Sequence, residues 1–254
     1  RLIRLESGFQ LLLNRMAESL AYMSLEDAYQ DDSLVTYHWI NKTILACGEA
    51  LLLLWGAYHY SYRERGSRFA ALAHSNLGFM RDQAAPFAGL IHRATEWKLR
   101  PAEHLYSETV REGWQQIIPI CGAVFRHLSE QGMNMRFDDY PDFPRLYLQK
   151  TAEPAGFRSA ALRLPKKLLE AYRAVGAHGS VRSLYLRHFA SQIVYSAVPL
   201  LFLSYGAKQC ATYLREARKL LMKLADLEPP LEDLSAEWDY LRKKVFALWK
   251  MYCY

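Results

Sequence analysis

The chain has 254 residues, enough for one large domain or two small ones. It is 51% hydrophobic and carries 17 Tyr and 6 Trp, which excludes a disordered or low-complexity chain. The net charge of +6 sits in the second half, because residues 1–127 balance 13 Lys/Arg against 13 Asp/Glu while residues 128–254 hold 19 against 13.

Apolar residues recur every three or four positions along most of the chain, the period of an amphipathic helix. Leu2 to Tyr22 reads as the first helix. No capping residue precedes it, so the helix is expected to continue from an upstream segment. Ser33 or Thr36 opens a second helix that runs to about Tyr60, followed by shorter helices at Phe69–Met80 and Gln83–Lys98, the latter interrupted by Pro86. Glu103–Gln131 reads as a long helix kinked at Pro119. The pattern then breaks over 132–164, where Pro141, Pro144, Pro154 and Gly156 point to a loop or linker. Pro165–Val175 is a short helix ended by Gly176, and Ser180 caps another that reaches about Ser204. Ala207–Leu227 follows, Pro229-Pro230 breaks it, and Ser235 caps the last helix, Ala236–Met251. No run alternates with period two between turn signals. The expected fold is therefore an all-α bundle of about seven to nine helices. A first bundle spans 1–131, and a basic helical part at 165–254 packs on it in one continuous domain.

The cysteines at 47, 121, 210 and 253 are widely spaced, which opposes a disulfide framework or a zinc site and fits a reducing cytoplasm. The apolar runs Ile44–Tyr58 and Phe189–Ala207 are too short or too polar for a membrane span, so both read as core helices.

The stretch from Asn41 to Arg68 combines Lys42, Gly48-Glu49-Ala50-Leu51-Leu52, Tyr58, Ser61-Tyr62 and Arg65. It resembles the start of the helical domain attached to nucleotidyltransferases of the polymerase-β type, a family with aminoglycoside-modifying and toxin–antitoxin-associated members. The resemblance implies that Lys42 reaches a nucleotide triphosphate, with Arg65 beside it, and that Glu49 acts as base towards an acceptor hydroxyl. Seven residues separate Lys42 from Glu49, which places them on one helix face about 10 Å apart along the axis. The family's catalytic core is a separate α/β domain with a Gly-Ser turn and an Asp-x-Asp pair that binds magnesium with the triphosphate. Gly66-Ser67 and Gly179-Ser180 are present here, but no Asp-x-Asp follows either. The chain is thus expected to be an accessory, substrate-binding and dimerisation part, holding no cofactor itself, with Mg and nucleotide triphosphate belonging to an attached core.

Two alternatives belong to other classes. The dense basic stretch 158–187, with seven Lys/Arg against Glu170 alone, suits a nucleotide, a nucleic acid or an acidic partner. The pairs Arg68/His74 and Arg182/His188 match the Arg-x4–6-His signature of HEPN ribonucleases, helical bundles in which Arg stabilises phosphate charge and His moves a proton. Asp138-Asp139-Tyr140-Pro141-Asp142 spells a magnesium-binding Asp-Asp-x-x-Asp, but Pro141 opposes the required helix and the segment reads as an acidic loop.

Overall fold

A computed structural model describes residues 5–23, 33–101, 109–152, 165, 169, 189–205 and 210–253. Among these the chain is an all-α bundle of nine helices with two short 3-10 turns and no strand. It divides into two compact units, Arg1–Arg136 and Phe137–Tyr254. The division falls at 136/137.

Unit 1 holds α1 (Leu5–Ser19), α2 (Ser33–Leu54), α3 (Tyr62–Asn76), α4 (Ala84–Leu99) and α5 (Val110–Met133). The central helix is α2, which packs against all four others. That explains its largely apolar composition: Ile44, Cys47, Ala50 and Leu51 are each at most 2% exposed. Cys47 and Cys121 meet between α2 and α5 with sulfurs 3.5 Å apart. Burial pushes the Cys121 thiol well above its ordinary range, so it behaves as a small hydrophobe.

The expected helix to Tyr60 stops at Leu54. Gly56 adopts φ +68°, Ala57 N–H reaches Leu52 O at 2.8 Å, and Gly56 N–H reaches Leu53 O at 3.2 Å. This is the Schellman closure that a left-handed glycine permits. The next helix begins at Tyr62 instead of Phe69, which puts Arg65 and Arg68 on α3 and not in a turn. Pro86 does not interrupt α4, because it lies in the first turn, where no intrahelical N–H is required. Helix α5 opens with a capping box between Thr109 and Glu112; residues 102–108, where a longer helix was expected, lie outside the described residues.

Unit 2 contains α6 (Phe143–Thr151), α7 (Ala190–Leu203), α8 (Cys210–Leu221) and α9 (Leu234–Tyr252). Helix α6 lies inside the stretch expected to be a loop. Pro144 occupies its first turn, where proline favours a helix, while Phe143, Tyr147 and Leu148 are buried along one side. In α7 every residue except Ser191 and Gln192 is buried. Gln192 accepts from Phe189 N–H at 3.0 Å and donates to Thr151 O at 2.9 Å, tying α7 to α6. Helix α8 ends at Leu221, short of the expected Leu227, and α9 is capped by Asp233, which accepts from Ser235 N–H at 3.0 Å. Arg218 on α8 is held by Glu237 on α9 through bonds of 2.6 and 2.8 Å, and the same carboxylate accepts Leu231 N–H at 3.1 Å. Among the described residues no helix is long and apolar enough to cross a membrane.

Candidate functional site

Helix periodicity puts His38, Lys42, Leu45, Glu49 and Leu52 on one stripe of α2. The C-terminal end of that stripe meets α3 and α4. Two glycines permit the close approach: a Cβ on Gly48 would meet Ile91 Cδ1 at 2.6 Å, and one on Gly66 would meet Thr95 at 3.2 Å. The result is a narrow cleft lined by Leu45, Leu52, Phe69 and Ile91, with Glu49, Tyr62, Arg65 and Thr95 as its polar members.

Glu49 and Arg65 form an ion pair beside this cleft, with side chains 14% and 8% exposed. Arg65 also donates to Tyr60 O at 3.3 Å and stacks over Tyr62, with its guanidinium carbon 3.8 Å from the ring centre. Tyr58 lies on it at 5.2 Å. The Arg65 Nε–H is buried and has no acceptor among the described residues. Burial pushes the Glu49 carboxyl above the usual range, and the Arg65 guanidinium opposes the shift without cancelling it. For Glu49 to act as base, Arg65 has to release it.

At the other end of the stripe, Lys42 Nζ lies 4.0 Å over the Trp39 ring, and Tyr22 stacks on Trp39 at 4.7 Å. Partial burial, then repulsion from Arg15 and Lys98, lowers the Lys42 pKa, while Glu18 offsets part of the shift. The same desolvation, with Lys42, Lys98 and Arg15 nearby, lowers His38. Four basic side chains from α1, α2 and α4 therefore act on one another. Arg15 is internally paired with Glu18, and Arg65 with Glu49. Neither Lys42 nor Lys98 forms an ion pair among the described residues; Lys42 lies over Trp39, and Lys98 Nζ is 5.4 Å from the centre of the Tyr62 ring. Among the described residues, internal pairing leaves two positive charges of this face without an ion-pair partner.

The remaining sequence candidates are not gathered here. Arg68 is exposed on α3 and donates to Ala57 O at 3.3 Å. His74 is exposed six residues later, about a third of a turn around the helix from Arg68. Arg182, His188 and all the basic residues of 158–187 lie outside the described residues. Asp139 caps the 3-10 turn Tyr140–Asp142 through Tyr140 N–H at 2.8 Å, and among the described residues no three metal-capable side chains converge.

Arg15 on α1, Tyr22 in the turn that follows it and Lys98 on α4 were missed by sequence reasoning because they reach the α2 face from other parts of the chain. One signal was available: an aromatic followed three residues later by a cation, Trp39/Lys42 and Tyr62/Arg65, which stack on the same helix face. No family model, curated protein or solved structure matches the chain.

Proposed function

We propose that this protein is a cytoplasmic helical accessory module of a nucleotidyltransferase-like system, in which the Lys42 face of unit 1 holds nucleotide phosphate and a metal-dependent core outside this chain performs the transfer. The observation that carries the reading is the pair of lysines, Lys42 and Lys98, which have no ion-pair partner among the described residues and repel Arg15 and His38. Like charges are unfavourable together in an empty site, and an anion with several oxygens relieves that repulsion. The resemblance of 41–68 to nucleotidyltransferase-associated helices supports the same reading, because Lys42 is the residue that the resemblance assigns to the triphosphate. Glu49 in this reading positions Arg65.

Isothermal titration of the full chain with Mg–ATP tests the proposal. Binding that weakens about tenfold or more in Lys42→Ala, through loss of a charge-assisted contact, is the expected result. No binding, or equal binding by wild type and Lys42→Ala, overturns it.

A further inference from the structure

The phosphate-holding face is flanked by exposed aromatic rings. On one side Tyr22 is 37% exposed and rests on Trp39, itself held by Lys42. On the other, Tyr60 is 84% exposed, the largest exposure among the described large hydrophobic side chains. Its ring lies 4.3 Å from His59, and its backbone carbonyl accepts from Arg65. His59 is oriented in turn, accepting Ser61 N–H at Nδ1 at 3.2 Å. Trp39, which carries Tyr22, and Glu49, paired with the Arg65 that holds the Tyr60 carbonyl, are ten residues apart on α2, or about 15 Å along its axis. Cations in the middle and rings at both ends form the arrangement that tracks a flexible phosphate backbone and stacks its bases without reading sequence.

We infer that this face binds a short single strand of nucleic acid, its phosphates over Arg15, Lys42 and Lys98 and one base on each of Tyr22 and Tyr60. The inference rests on the phosphate-holding role proposed above and deepens it: the acceptor or substrate presented to the module is a nucleic acid strand. A lone ATP leaves at least one ring unused. An acidic peptide matches the cations but has no planar groups for the rings.

The experiment is fluorescence anisotropy of the full chain with labelled oligouridylate and oligothymidylate of about eight nucleotides. Mg–ATP and polyglutamate serve as competitors. Both oligonucleotides are expected to bind more tightly than Mg–ATP. With two or three phosphates neutralised, the logarithm of affinity should fall against the logarithm of salt with a slope of roughly −1.5 to −2. Tyr60→Ala and Tyr22→Leu should each weaken oligonucleotide binding about tenfold, the loss of one stacked base, and at most one of them should weaken Mg–ATP binding. The exposure of Tyr60 keeps folding out of the result, and Tyr22→Leu retains apolar contact with Trp39. A strong preference for oligouridylate would assign the strand as RNA through the 2′-hydroxyl, and equal affinity would assign a sugar-tolerant site.

Mg–ATP binding without tighter oligonucleotide binding overturns the inference and leaves the phosphate role standing. Loss of both removes both. Unchanged oligonucleotide affinity in the two tyrosine variants, or polyglutamate competing as well as the oligonucleotides, also overturns it.

Discussion

Replacing Arg65 with Met isolates the energetics of the Glu49–Arg65 pair. Met keeps most of the side-chain stem and removes the charge. Arg65 is 7% exposed and the Glu49 side chain 14%, so the variant leaves a mostly buried carboxylate without its partner. Removing one member of a buried pair costs about 3–5 kcal/mol, and the residual exposure of Glu49 places the effect near 3. Stacking of Arg65 on Tyr62 and Tyr58 is lost in the same change. Hydrogen exchange of the α2 amides under increasing urea follows unit 1 by itself, which matters in a chain of two units.

The pH dependence has a definite sign. Glu49 already titrates above its ordinary value because burial outweighs Arg65, and losing Arg65 raises it further. A carboxyl whose folded pKa exceeds its unfolded one penalises the folded state once ionised. The Arg65→Met deficit should therefore be small below about pH 4 and grow as pH rises through the elevated folded pKa. Arg65→Met with Glu49→Gln should recover most of the loss. A deficit under about 1 kcal/mol that does not change with pH would refute the burial argument.

The α2–α4 contact makes a second prediction. Gly48→Ala gains up to about 1 kcal/mol of helix propensity but drives a methyl into Ile91 Cδ1, costing about 1–3 kcal/mol. In the Ile91→Val background, which removes that Cδ1, the alanine should be better tolerated by at least about 1 kcal/mol. Equal effects in the two backgrounds, measured by urea unfolding, would mean that the helices do not meet there. In unit 2, burial pushes the Glu237 carboxyl up, but bonds from Arg218 and Leu231 N–H leave it below its ordinary range. Its stabilising effect is present above the unfolded value, about pH 4.3, and is lost as pH falls through the lower folded one. Acid unfolding of α8 and α9 should therefore be shallower in Glu237→Gln, and an unchanged acid limb would contradict the assignment. Thr109→Ala removes the capping box of α5 and should cost about 1 kcal/mol, read as faster exchange in the first turn of that helix.

The all-α class was legible because helix periodicity survives in nearly every segment, and Leu54 was the end least visible. Trp55, Ala57 and Tyr58 continue the apolar run past it, and the left-handed glycine at 56 stops the helix. Helix α6 was hidden by its proline, which disfavours a helix interior but favours a first turn. At the site, Lys42 and Glu49 were readable as one face of one helix. The partners that determine their chemistry were not: Arg65 arrives after a tight turn, Arg15 from the preceding helix and Lys98 from two helices later. Such convergence is tertiary, and no spacing in the chain encodes it. The pairing of Glu49 illustrates the consequence, because a carboxylate in an apolar helix reads equally as base or as ion-pair partner until Arg65 is found against it.

Mapping amide chemical shifts of the full chain during a Mg–ATP titration addresses the phosphate-holding role of α2 most directly. The predicted shifts cluster at Arg15, His38, Lys42 and Lys98 and vanish in Lys42→Ala. Shifts confined to other parts of the chain, or the same pattern in Lys42→Ala, would contradict it.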